Sequence, residues 1–170
     1  LLTRQRKVYD GAIPSANSVT LSNLLRLSHL TGRSEFENRA ALLVRAFASD
    51  VRSHPAAFAH FLSGVDRGLV PAPTIVVVGK PGANDTTAMI SSARNVSRPG
   101  AHLLFASEDR SSRDRCLLEK LAPFVSDMGM REGRATAYVC QGRSCSSPVT
   151  DPEDVARLSL RPDLIPDETP

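Results

Sequence analysis

Leu69-Val70-Pro71-Ala72-Pro73-Thr74-Ile75-Val76-Val77-Val78-Gly79 is the stretch at which the character of the chain changes. Two prolines in three residues cannot continue a helix, because each lacks an N–H donor and clashes with the preceding turn. The β-branched run Thr74 to Val78, ended by glycine, predicts a buried strand over 74–79. Downstream the pattern alternates: helix from about Asp85 to Arg94, turn at Pro99-Gly100, strand 101–106, helix from about Ser111 to Leu121, strand 135–140 and a short helix from Asp151. Strands and helices taking turns predict crossover units and a small, mainly parallel α/β sheet. Thr150-Asp151-Pro152-Glu153 reads as a doubly capped helix start, with proline in the first turn and glutamate at the capping-box position.

Upstream of the same stretch the grammar is helical. Leu21, Leu24, Leu25, Leu27 and Leu30 recur at mostly helical spacing until Thr31-Gly32, where glycine offers a left-handed C-cap. Ser34-Glu35-Phe36-Glu37 reads as a capping box opening a second helix to about Val51, and Pro55 opens a third through Phe61 and Val65 to Gly68. The first two helices, separated only by Arg33, are expected to fold back as an antiparallel hairpin. The expected organisation is thus mixed α and β: helical hairpins over 1–70, an α/β appendage over 71–159, and a proline-rich, acidic, frayed tail over 160–170.

Composition bounds the function. The 170 residues are 41% hydrophobic, 23% charged and 5% aromatic, the balance of one soluble domain or two small ones. Aliphatic runs such as Ile75 to Val78 are far short of the roughly 20 residues of a membrane span, and no basic-then-apolar signal segment opens the chain. A membrane partner is not expected. Residue 1 is Leu, so the expectation is a processed or excised piece. Nine basic and five acidic residues precede position 71, against twelve and thirteen after it, so the basic excess is local and centred on Arg4, Arg6 and Lys7. Without a longer basic stripe interleaved with aromatics, no nucleic-acid partner is expected. Three cysteines cannot complete a disulfide framework, and a reducing, cytoplasmic setting is the simpler expectation.

Few residues offer chemistry. Gly79-Lys80-Pro81-Gly82 lies between a strand and a helix, where α/β proteins bind phosphate, but its spacing matches neither a P-loop nor a dinucleotide fingerprint. Cys140 and Cys145 straddle the end of a strand and can pair with each other. Zinc wants about four ligands, and Cys116 and His102 lie in separate elements, so no metal or other cofactor is expected. Cys116 reads as a small buried side chain, and His60, among Ala57, Phe58, Phe61 and Leu62, as a packed histidine. His29, His54 and His102 have no partner that sequence identifies. The richest segment is Val8-Tyr9-Asp10-Gly11-Ala12-Ile13-Pro14-Ser15-Ala16-Asn17-Ser18, which sets an aromatic, a carboxylate, hydroxyls and an amide on a loop leading into a helix. Ser15, Asn17 or Ser18 can cap that helix, and the same groups can face a ligand.

Two motifs resemble one family. Tyr9 to Ser18, with Asn23-Leu24-Leu25-Arg26-Leu27 and Leu30-Thr31-Gly32, looks like the last barrel segment of thioredoxin-domain-containing proteins of the spermatogenesis-associated protein 20 (bacterial YyaL) type. Thr136-Ala137-Tyr138-Val139-Cys140, then Cys145, Pro148 and Thr150 to Glu153, looks like that family's C-terminal signature. One departure is Ala16, where the family usually has glycine. The resemblance implies an N-terminal thioredoxin-like domain, then an (α/α) toroid similar to N-acylglucosamine 2-epimerases and six-hairpin glycosidases, with this chain as the C-terminal end of the whole. It also implies a small-molecule, carbohydrate-like ligand at the toroid's rim, held by Tyr9, Asp10, Ser15 and Asn17, with Asp10 the one acid or base on offer. The alternative expectation is a redox or protein-folding accessory, in which the absent thioredoxin-like domain does the chemistry and this part is scaffold bearing the Cys140/Cys145 pair.

Overall fold

The computed structural model describes residues 8–69, 72–95, 100–142 and 144–159. The basic cluster at Arg4, Arg6 and Lys7, Val70-Pro71, Pro99 and the tail 160–170 lie outside the described residues. The chain divides into two compact units, Leu1–Pro71 and Ala72–Pro170.

The first unit holds α1 (Ala16–Thr31), α2 (Ser34–Ser53), a 3₁₀ turn (Pro55–Phe58) and α3 (Ala59–Leu69). Gly32 ends α1 at φ 68°, its N–H donating to the Ser28 carbonyl, as the Thr31-Gly32 pair predicts. The expected capping box at Ser34 does not form. Arg33 occupies the N-cap position without a side-chain cap, and Ser34 is already helical. Arg33 instead pairs with Glu35 at 2.7 Å and lies over the Phe36 ring, 5.3 Å from its centroid. The core is Leu21, Ala40, Phe47, Val51, Phe58 and Phe61, with Val8 packed from the incoming chain. Phe47 and Phe61 meet edge to face with centroids 6.1 Å apart.

The second unit is a four-stranded sheet between helices. Its strands are β1 (Thr74–Gly79), β2 (His102–Ser107), β3 (Thr136–Gln141) and β4 (Ser144–Cys145), in the order β2-β1-β3-β4. β1 is central and buried along its whole length, which is why it is an unbroken aliphatic run. One face, with Ile75, Val77 and Val139, packs on α4 (Asn84–Asn95) and α6 (Pro152–Ser159) through Met89, Ala93 and Val155. The other face, with Val76, Val78 and Tyr138, packs on Val125, Met128 and α5 (Arg113–Leu121). The mixed α and β class agrees with the sequence expectation, and the sheet itself is mixed. β1 and β2 are parallel, Thr74 opposite His102, but β3 is antiparallel to β1 and β4 to β3. The alternation predicts mainly parallel strands because it assumes each helix is followed at once by a strand. Here a 3₁₀ turn (Pro123–Val125) and the loop to Ala135 separate α5 from β3 and deliver the chain to the other end of the sheet.

Two further details differ from the sequence reading. α6 is capped by Asp151, whose Oδ1 accepts the Glu153 N–H at 2.9 Å, so the cap sits one residue later than Thr150. Cys116 is exposed, its Sγ 3.5 Å from the Arg110 carbonyl, and is not a packing thiol. Its position in α5 turns it away from the sheet, a matter of helix phase that the cysteine alone does not reveal.

Candidate functional site

The loop at 8–18 is built around Asp10. Its N–H donates to the Ala57 carbonyl at 2.9 Å. Its Oδ1 accepts the Ser15 N–H at 2.9 Å and its Oδ2 the Phe61 N–H at 3.0 Å. Phe61 lies in the first turn of α3, where backbone N–H groups have no intrahelical acceptor, so Asp10 acts as a helix cap supplied from 51 residues away. Burial pushes the Asp10 carboxyl up, but the N–H groups of Ser15 and Phe61, the Ser18 hydroxyl and the His60 N–H outweigh it and hold the group below its ordinary value.

Ser15 is the N-cap of α1. Its Oγ accepts the Ser18 N–H at 3.1 Å and lies 2.8 Å from the Ser18 Oγ. Ala16 is the first helical residue and is absent from the positive-φ positions, so alanine fits there without strain. Tyr9 is 64% exposed and Ile13 82% exposed. The loop therefore gathers Tyr9, Asp10, Ser15 and Asn17 on one short segment, with Asp10 and Ser15 hydrogen-bonded inward and the Tyr9 ring presented outward. A carboxylate stabilised in its ionised form by backbone donors is a poor general acid at neutral pH. His60 is half-buried on α3. An open groove along α3 is lined by Pro55, Ala59, Leu62, Asp66 and Arg67 and includes none of the loop residues.

In the second unit, the candidates that sequence isolates are also tied into the fold. Lys80, on the strand-to-helix turn, lies 3.8 Å from Glu108, both exposed. Thr136 Oγ1 accepts the Arg131 N–H at 2.8 Å and donates to the Arg134 carbonyl at 3.0 Å. The Tyr138 hydroxyl donates to the Gly129 carbonyl at 2.8 Å and accepts its N–H at 3.2 Å. Both signature residues thus hold the loop that leads back into their own strand. Cys140 and Cys145 face each other across β3 and β4 and are joined by a disulfide. Among the described residues, no group of three or more His, Cys, Asp or Glu side chains is placed to hold a metal ion, and no helix is long and apolar enough to cross a membrane.

Two residues escape sequence reasoning. Arg115, 1% exposed, is the largest fully buried side chain described. Its Nε donates to Glu119 at 2.6 Å, and its Nη2 donates to the carbonyls of Val125 at 3.0 Å and Met128 at 2.8 Å, clamping the chain after α5. Asp85 accepts the Ala135 N–H at 2.8 Å and the Thr86 N–H at 2.7 Å, and these bonds, that from Ala135 foremost, hold its carboxyl below the ordinary value. The only sequence signal for Arg115 is the Glu119 four residues later, a spacing shared with many surface pairs.

What these features define is a helical unit followed by a mixed-sheet α/β unit, with its polar motif residues spent mainly on holding loops. Comparison with known proteins adds the relationship. The chain is 36% identical to spermatogenesis-associated protein 20 of Rattus norvegicus and of Homo sapiens over 149 residues, which is 88% of this chain and 18% of each relative. It is 26% identical over 151 residues to an uncharacterized protein of Caenorhabditis elegans, covering 20% of that protein. The chain therefore spans about a fifth of the length of these relatives. No family model matches the chain, and no solved structure matches it.

Proposed function

We propose that the chain is part of a protein of the spermatogenesis-associated protein 20 family, its helical unit forming the closing segment of an (α/α) toroid whose rim binds a sugar-like small molecule. The similarity over 88% of the chain supports the family. The observation that carries the ligand reading is the loop at 8–18: Asp10 and Ser15 fix its backbone through internal hydrogen bonds while the Tyr9 ring stays 64% exposed beside them. A pre-set loop presenting an aromatic face suits stacking on an apolar sugar face, because little side-chain freedom is lost on binding. Asp10 serves this role by position and not by proton transfer. Asn17, already engaged in an interaction of its own, supplies an amide at the start of α1.

The test is carbohydrate binding by the full-length protein, screened on immobilised glycans and followed by calorimetry. Tyr9→Ala should weaken binding of a recovered sugar by about five- to tenfold, the order of one aromatic contact. Unchanged affinity removes Tyr9 from the site.

A further inference from the structure

The Cys140–Cys145 disulfide differs from a buried structural bridge in that it joins a buried residue to an exposed one. Cys140 is 5% exposed and packs with Val76, Val78 and Tyr138 on the α5 side of the sheet. Cys145 is exposed, on a strand of two exposed residues at the edge of the sheet. The hairpin does not depend on the bridge for its register. The Ser146 N–H donates to the Val139 carbonyl at 2.8 Å, and Ala137 and Val149 exchange both backbone bonds at 2.8 and 3.0 Å. With the bridge open, these bonds keep the two cysteines opposite each other, so the pair can close again without a search through loop conformations.

We propose that Cys140 and Cys145 form a thiol–disulfide exchange site, whose reaction partner is a dithiol and whose point of attack is Cys145 Sγ. A thiolate of the partner forms a bond to Cys145 Sγ; the Cys140–Cys145 bond breaks, and its electron pair leaves on Cys140 Sγ, which takes up a proton. The partner's second thiolate then attacks the partner's own sulfur in the mixed disulfide, and Cys145 leaves and is protonated. Two electrons and two protons pass from the dithiol to the pair, and the partner ends as a disulfide. Access sets the order of events, since Cys140 is buried and Cys145 is exposed. Cys116, exposed on a different element, takes no part. This inference is independent of any ligand at the 8–18 loop.

The experiment uses the 170-residue chain carrying Cys116→Ser, so that the thiol count reports only the pair. Titration with reduced dithiothreitol without denaturant should raise the count by two, oxidised dithiothreitol should reverse it, and the far-ultraviolet circular dichroism should not change. In the further variants Cys140→Ser and Cys145→Ser, each converted to its glutathione mixed disulfide, dithiothreitol should release glutathione at least about tenfold faster from Cys145 than from Cys140. A bridge that opens only in denaturant, or a Cys140 adduct that exchanges as fast as the Cys145 adduct, overturns the proposal.

Discussion

Arg115 shows how much of the second unit rests on a single side chain. A buried guanidinium is tolerated only when its donors are matched, and here Glu119 balances the charge and takes the Nε–H, the Val125 and Met128 carbonyls take Nη2, and the Ser107 carbonyl lies 3.5 Å from Nη1. Arg115→Ala removes the guanidinium donor from both carbonyls, leaving the Val125 oxygen with only the Met128 N–H, and opens a cavity. It should cost about 3–5 kcal/mol, read as a lowered midpoint in urea unfolding. Asp10 works by the same logic at the start of α3, with a pH signature. Its folded-state value lies below the unfolded one, so its contribution is present in full above the ordinary carboxylate range, near pH 4, and is lost as pH falls through the lowered folded value. Asp10→Asn should therefore be less stable than the parent at neutral pH, with the two stability curves converging as pH falls below the ordinary carboxylate range. Parallel curves down to the lowest pH remove Asp10 from acid unfolding.

At the scale of elements, the seat of α4 on β1 depends on Gly79. A Cβ there would overlap the Thr86 Oγ1 and lie 2.9 Å from Thr86 Cγ2, so the helix could not approach the strand end as it does. Gly79→Ala should destabilise by about 1–3 kcal/mol, and Thr86→Ala in the same chain should recover part of the loss, because the overlapping atoms are removed. Equal destabilisation with and without Thr86→Ala would locate the strain elsewhere. The helix caps show where sequence reading is sound and where it slips. Gly32 adopts the left-handed conformation that its place after Thr31 requires, since the constraint lies in the backbone of one residue. Ser34 does not cap, because the two-residue link Gly32-Arg33 between α1 and α2 puts Arg33 at the N-cap, where it meets Glu35 and Phe36. Side-chain capping is a competition among near neighbours, and spacing alone does not decide it.

At the scale of the whole molecule, the two compact units differ in how completely each covers its own apolar surface. The sheet of the second unit is packed on both faces, by α4 and α6 on one side and by α5 and the segment after it on the other. Residues 72–170 expressed alone should fold and unfold in one cooperative thermal transition, and a non-cooperative melt would contradict a self-sufficient unit. Among the described residues the helical unit leaves Ile13, Leu42 and Leu69 exposed at 63% or more, against Leu121 in the second unit, and residues 1–71 alone should bind a hydrophobic dye more strongly than 72–170. The Leu69 to Gly79 stretch was enough to separate helical from α/β grammar, because proline geometry, β-branching and hydrophobic period are properties of neighbouring residues. Element types, the Gly32 cap and the aliphatic centre of the sheet follow from the sequence by itself for that reason. The reversed direction of β3, the burial of Arg115, the inward turn of Asp10 and the unequal exposure of Cys140 and Cys145 were decided only by tertiary structure. Each depends on which groups from distant parts of the chain arrive at one place with unpaired donors, acceptors or apolar surface, and local spacing carries no record of that.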